Sequence, residues 1–226
     1  QLIMLIKSYG SARVNVSDPS NPGPILGESD VLSQAAAILD EALNDLSSAG
    51  SSFSFPLAGF DGFDTPSTFS QFNRAVKAVA LVYSGNKSGA LTALNSSFFN
   101  LNGDLKTGPK HVFSLSAGDF VNGLYKIIDN NGDQIIVHNS FIADAESGDK
   151  RVENKTIARS DATTQDGLNG THQTRLYASN ISPIDIIRNE ELVLLYAEAN
   201  IPSNSSEAIK ALNVVRNAAG LSDYNG

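Results

Sequence analysis

The chain has 226 residues, 41% of them hydrophobic, with no Cys, no Trp, one Met and three His, and its 16 Lys and Arg against 24 Asp and Glu give a net charge of −8. That size and apolar content build one large domain or two small ones around a sizeable core. The acidity excludes nucleic acid and anionic lipid as electrostatic partners, and the missing Cys excludes disulfides, thiolate nucleophiles and Cys-ligated zinc.

Charged residues make up only 18% of the chain, below the roughly 25% of an average soluble protein. Ser, Asn, Gly and Thr fill the polar surface instead, which weights the reading toward an exported protein. No apolar run reaches the roughly 18 residues of a membrane span. The chain opens on Gln1-Leu-Ile-Met-Leu-Ile-Lys7 without an N-cap. That reads as the interior of a helix, and so as part of a longer or processed chain. Residues 2–9 read as the end of an amphipathic helix, with Gly10 in the C′ position. The polar stretch Ser17 to Pro24 is loop.

Residues 30–48 predict a helix, because Val31, Leu32, Ala35, Ile38, Leu39, Ala42, Leu43 and Leu46 recur at spacings of three and four. Residues 51–64 alternate Phe53, Phe55, Phe60 and Phe63 with Ser, Gly and Asp. Thr65-Pro66 then reads as an N-cap followed by Pro at N1. It opens a helix to Tyr83 that carries Phe69, Phe72, Val76, Val79 and Ala80 on one face. Gly85 closes it, and Asn86 caps the next helix at about 87–99. Two helices joined so closely form an antiparallel hairpin.

Helical period is lost over 100–183. Leu124–Ile128 and Gln134–Val137 flank Asn131-Gly132, which predicts a β-hairpin with that pair as its turn. Residues 144–175 read as a polar surface excursion. Period returns at Ile184, Ile187, Leu192, Leu195 and Ala199, marking a helix to about Asn200 that Pro202 ends. Asn204 with Glu207 has capping-box character for a last helix over 205–219, which stops at Gly220.

Two segments repeat. Gly89-Ala-Leu-Thr-Ala-Leu-Asn95 lies against Glu207-Ala-Ile-Lys-Ala-Leu-Asn213, and ahead of them Leu81-Val-Tyr83 lies against Leu194-Leu-Tyr196. Small Ala side chains let paired helices approach closely, the logic of stacked tetratricopeptide-type units. With residues 2–9 and 30–48 as a further pair, the sequence predicts a mainly α fold. It has tetratricopeptide-like helix pairs and an irregular α+β insertion containing a β-hairpin. The predicted organisation is a single domain over 1–226, with a helical part at 1–99, the insertion at 100–183 and a returning helix pair at 184–226.

The stretch Ser182-Pro-Ile-Asp-Ile-Ile-Arg188-Asn-Glu-Glu191-Leu-Val-Leu-Leu-Tyr-Ala197-Glu198-Ala199 is followed by Asn213-Val-Val-Arg216-Asn-Ala-Ala-Gly220-Leu. Together they resemble the SusD/RagB family, the surface nutrient-binding lipoproteins of Bacteroidota. Leu5–Gly10, Phe72–Tyr83 and Gly148-Asp149-Lys-Arg151 resemble further family elements. The resemblance implies a SusD-like helical scaffold and a non-catalytic protein of the outer-membrane surface. It would capture an oligosaccharide and pass it to a SusC-like TonB-dependent transporter, with membrane attachment only through a lipid anchor that this sequence lacks. The sequence departs from the family in length and in the missing lipid-bearing Cys. It also has no Trp, which favours a peptide-capturing member. A helical-repeat scaffold for a protein partner is the reading from a different class.

The residues themselves offer no G-x-S-x-G, H-E-x-x-H or P-loop motif. His111, His138 and His172 stand at unrelated spacings, and no cofactor is implied. Asp129-Asn-Asn-Gly-Asp133 echoes a calcium loop, but Ser140 stands where its twelfth-position acid belongs. The carboxylate pairs Asp61/Asp64 and Glu190/Glu191 are the nearest in sequence. Arg188 with Glu191 reads either as a ligand clamp or as scaffold. The ligand surface is assigned to Phe60, Asp61, Phe63 and Tyr125. Sugars are held by aromatic faces against C–H groups, with carboxylate and amide side chains on the hydroxyls.

Overall fold

The computed structural model describes residues 1–130 and 132–226, and only the backbone of Gln165. The chain divides into two compact units. One holds Gln1–Pro109, Ile186–Val214 and Gly226; the other holds Lys110–Asp185 and Val215–Asn225.

The first unit begins with α1 (Leu2–Tyr9), closed by Gly10 at φ +70°. A two-residue ladder follows, β1 (Ser11–Ala12) with β2 (Leu26–Gly27), antiparallel. Then come α2 (Glu28–Ser48), α3 (Pro66–Tyr83) and α4 (Lys87–Asn95). Thr65 and Thr68 form a reciprocal capping box at the start of α3, with Pro66 as the first helical residue. After the second unit's insertion the chain returns as α7 (Asn189–Asn200) and α8 (Ser205–Ala218), whose end from Val215 onward belongs to the second unit.

The core of this unit is made of small residues. Ala75, Ala78, Ala90, Ala93 and Ala199 pack around Val79, Val82, Leu94, Leu192 and Leu195, all buried. Helices α3 and α4 pack on each other and both pack on α7. A buried Arg74 ties α3 to α2, donating to Asp40 at 2.7 Å and to the Leu39 carbonyl at 2.6 Å. Lys77 adds a second bond to Asp40 at 2.5 Å.

The repeat holds at the level of single contacts. Asn86 caps α4 by accepting the Gly89 N–H at 2.9 Å, and Asn204 accepts the Glu207 N–H at 3.3 Å. In the same register Ala90 and Ala93 are buried in one copy, Ala208 and Ala211 in the other. The tyrosines ahead of the repeats also reach across: Lys7 lies 4.2 Å over the Tyr83 ring, and Tyr196 donates to Glu207 at 3.1 Å.

The last helix pair starts later than its apolar spacing predicts. Ile184 lies in a strand, and α7 starts only at Asn189. The reason is the backbone of residues 105–109. Pro109 accepts the Ile186 N–H at 3.0 Å, Thr107 the Asn189 N–H at 2.8 Å and Leu105 the Glu190 N–H at 3.0 Å. The fully buried Asn189 amide bridges the Asn100 N–H and carbonyl at 2.9 and 2.7 Å. Gly108 is required at this crossing, since a Cβ there would overlap the Ile187 carbonyl.

The second unit contains β3 (Lys110–His111) paired antiparallel with β7 (Ile184–Asp185), and a three-stranded antiparallel sheet in the order β4-β6-β5. Its strands are β4 (Ile136–Val137), β5 (Thr156–Gln165) and β6 (Leu168–Thr174). Two short helices, α5 (Asn139–Ala143) and α6 (Lys150–Lys155), connect them.

The hairpin is therefore β5–β6, within the segment read as a polar excursion. Its turn is Asp166-Gly167, both at positive φ (52° and 79°), the geometry of a type I′ hairpin turn. Leu124–Ile128 is not a strand. The buried Gln173 amide takes over its backbone, accepting the Asp129 N–H at 3.0 Å and donating to the Ile127 carbonyl at 3.2 Å. Val137 pairs instead with His172 on β6, and Asn131 of the expected turn lies outside the described residues. The Asn139 side chain prolongs the β4–β6 ladder, donating to the Asn169 carbonyl at 3.1 Å and accepting the Thr171 N–H at 3.3 Å.

Two outcomes test this packing. Ala90→Leu inserts three carbons into a closed helix contact and should lower stability by about 1–3 kcal/mol in chemical denaturation. Ala37→Leu, on the exposed face of α2, should stay within about 0.5 kcal/mol of the parent. The Asp40 carboxylate is held below its ordinary range by the hydrogen bond from Arg74, then by that from Lys77. A depressed carboxylate stabilises the fold above its unfolded pKa and loses that contribution as pH falls through the folded value. The melting-temperature gap between parent and Asp40→Asn should be full at neutral pH and close progressively below about pH 4.

Candidate functional site

The loop between α2 and α3 is built from two consecutive turns. The Phe60 N–H bonds the Leu57 carbonyl at 3.3 Å, and the Phe63 N–H bonds the Phe60 carbonyl at 2.7 Å. Gly59 and Gly62, the third residue of each turn, both sit at φ +80°. That is the position where a type II turn demands a left-handed residue. The turns fix Phe60 between them and leave Asp61 exposed at the corner of the second.

The rings of this loop extend an aromatic row rooted on α3. Phe69 and Phe72 meet edge to face with centroids 5.3 Å apart. Phe60 stacks on Phe69 at 5.6 Å and meets Phe72 edge-on at 5.6 Å. Phe53 meets Phe69 edge-on at 5.7 Å, and Phe55 stacks on Phe53 at 5.5 Å. The row runs from the half-buried rings on the helix to Phe55, which is 58% exposed.

The four residues assigned from sequence therefore part company. Phe60 is half-buried in the row and Asp61 is open to solvent. Phe63 is 5% exposed, its ring turned edge-on against Phe98 at 4.8 Å. It is a packing ring rather than a free face, because the second turn directs it back toward the residues that follow α4. Tyr125 belongs to the other unit and is half-buried, its N–H bonded to the Asn122 carbonyl at 3.1 Å. Asn122 beneath it is buried, holding Ser182 O at 2.8 Å and the Leu124 N–H at 2.9 Å. Phe55 and, in the second unit, Phe120 at 82% exposure are among the open rings left out of that four-residue assignment. Phe55 carried a signal, its place in the Phe–Ser alternation. Phe120 carried none.

The remaining candidates are paired or partly buried. Arg188 precedes the first turn of α7 and pairs with Glu190. Glu191 is partly buried, and that burial pushes its carboxyl above the ordinary range despite nearby Lys7 and Arg188. In the second unit Arg216 donates to both Glu146 oxygens at 3.0 and 2.9 Å, while the Lys150 N–H bonds the Ala219 carbonyl at 2.9 Å. The Gly148–Arg151 element thus locks onto the end of α8. Asp133 pairs with Lys126, and Asp129 accepts the Ser160 N–H at 3.0 Å. Among the described residues no group of three or more His, Asp or Glu is placed to hold a metal ion. No helix among them is long and apolar enough to cross a membrane.

No family model and no curated protein matches this sequence. Solved structures do. A SusD-like carbohydrate-binding protein from Bacteroides vulgatus superposes with a TM-score of 0.60 at 16% identity, covering 98% of this chain and 51% of its own. Surface glycan-binding protein A from Bacteroides uniformis gives 0.58 at 17%, covering 99% and 57%. A SusD-like protein from Bacteroides fragilis gives 0.61 at 12%, covering 100% and 60%. This chain has the SusD-like fold. It spans between half and three-fifths of the length of those three structures. The aromatic row and the alanine-lined helices described above are set within that fold.

Phe63→Ala should lower stability by about 3–5 kcal/mol in denaturant unfolding, as expected for a buried ring. Phe55→Ser should leave it nearly unchanged, because an exposed ring supports little core.

Proposed function

We propose that this chain is a non-catalytic member of the SusD/RagB family that captures an oligosaccharide at the cell surface. The observation that carries the reading is the exposed end of the aromatic row, Phe55 stacked on Phe53, on the loop that also presents Asp61 to solvent. A ring face covers the C–H groups of a sugar, and a carboxylate accepts from its hydroxyls. Phe60 braces the row and Asp61 supplies the polar contact. Tyr125, on the second unit, is a further platform. The fold shared with SusD-like and glycan-binding proteins supports the same reading.

By the same family reading, the ligand passes to a SusC-like TonB-dependent transporter in the outer membrane, and the full-length protein is held there by a lipid anchor. Neutral sugars give no long-range attraction. A site of a few rings and short hydrogen bonds, each contributing about 1 kcal/mol, therefore binds in the micromolar to millimolar range. Such a ligand is readily handed on.

The test is calorimetry against a panel of neutral oligosaccharides. A ligand from that panel should bind with little dependence on ionic strength. Phe55→Ser should weaken it by about tenfold at unchanged melting temperature, and no new reducing ends should form. Binding confined to peptides would establish the peptide-capturing reading instead. Sugar binding untouched by Phe55→Ser would move the site away from this loop.

A further inference from the structure

The second unit carries a cleft of about 430 Å³ beside the three-stranded sheet, within the range of small-molecule sites, about 300–1,000 Å³. Its walls are Gln134, Ile136 and His138 from the β4 segment, and Thr163, Leu168 and Asn169 from the β5–β6 hairpin. The walls are firmly held. A Cβ at Gly170 would overlap the Ile136 side chain, so β4 and β6 lie in close approach there, and the Asn139 amide ties the same two segments. A register irregularity lies between Ala158 and Thr163 on β5, the kind of break that re-aims side chains beside a site.

The chemistry of the cleft is selective. Among the described residues lining it there is no Lys or Arg, so nothing favours a phosphate, sulfate or carboxylate ligand. Gln134 uses its amide oxygen on the Gly132 N–H at 2.6 Å, leaving its NH₂ without a partner among the described residues. His138 Nδ1 accepts the Ser140 N–H at 3.2 Å and lies 2.8 Å from the Ser140 hydroxyl; in the tautomer where both donate to Nδ1, the ring carries its proton on Nε2. Asn169, its amide oxygen taking the Thr164 hydroxyl at 3.4 Å, turns its side chain to the face of the hairpin opposite Thr163 and Leu168. The Gln134 amide and the His138 imidazole thus stand beside two aliphatic side chains, Ile136 and the 67% exposed Leu168. Asp166 and the Thr163 hydroxyl add acceptors at the rim.

An acetamido group matches that set. Its carbonyl accepts from the amide and imidazole donors, its N–H donates to Thr163 or Asp166, and its methyl covers Ile136 and Leu168. We infer that this cleft binds the acetamido group of an N-acetylated sugar residue. The choice of a sugar rests on the oligosaccharide reading proposed above, whereas the cleft itself is formed by the second unit's sheet and does not involve the aromatic loop.

The test is an amide NMR titration with two probes that differ only in that group, methyl N-acetyl-β-D-glucosaminide and methyl β-D-glucoside. The acetamido probe should give saturable shifts at Gln134, His138, Thr163 and Leu168–Gly170. It should bind at least about fivefold tighter than the glucoside, the effect of one added hydrogen bond and a covered methyl. Leu168→Ser removes an exposed side chain, and Gln134→Glu replaces the NH₂ donor while keeping an oxygen for Gly132. Each should weaken the acetamido probe by about threefold or more. Phe55→Ser should change nothing here, which separates this site from the loop site. Absence of saturable shifts in the cleft, equal affinity for the two probes, or unchanged affinity in both cleft variants with native spectra would overturn the inference.

Discussion

The helical unit depends on how closely its helices can approach, and alanine sets that distance. Where α3, α4 and α7 meet, Ala75, Ala78, Ala90, Ala93 and Ala199 leave only methyl groups between backbones, and Leu94 and Leu192 fill the remaining space. An alanine buries little apolar area and loses no rotamer freedom. Its contribution comes from the dispersion contacts that a close fit allows between the helices themselves. Such a contact tolerates no enlargement, so it fixes the relative positions of three helices tightly. The loops beyond their ends need not help and can diverge in shape and chemistry.

Irregular backbone needs a different answer, and here amide side chains supply it. Asn189 secures both backbone groups of Asn100, Asn122 secures Ser182 and Leu124, and Gln173 secures Ile127 and Asp129. All three are buried, and each takes the place of a strand partner. A buried peptide group must be paired somewhere, and one amide can pair a donor and an acceptor at once. Long stretches without regular structure can thus be ordered, and the half-buried Tyr125 stands on one of them.

What the sequence revealed follows the same division. Helices were legible because apolar spacing and punctuation agreed: Gly10, the Thr65-Pro66 start, Gly85, Asn86 and Gly220 fall where the helices begin and end. Ile184 and Ile187 misled because an extended segment paired on both sides of a crossing can carry the same spacing as a helix. The Leu124–Ile128 strand was misread because its partner is the Gln173 side chain, which lies 45 residues beyond the end of that β-like run and leaves no local pattern. The true hairpin was hidden by its polarity: Thr, Ser, Asp, Asn and Gln fill both strands, so the Asp166-Gly167 turn was the sole local signal. At the loop site, the composition of residues 53–63 marked the rings. Which of them face water is decided by two glycine turns that no spacing rule reads.

The Asn139 amide has a consequence for how the protein behaves in company. An open sheet margin is a template: its unsatisfied N–H and C=O groups accept any extended chain that drifts past, and association then propagates. At the margin where β4 is only two residues long, the Asn169 carbonyl and the Thr171 N–H are already engaged by one side chain of the same molecule. A short strand followed by this amide plug gives a passing chain neither the length nor the free groups to add on. A polar hairpin that holds few apolar contacts of its own is thereby kept from seeding aggregation along that margin.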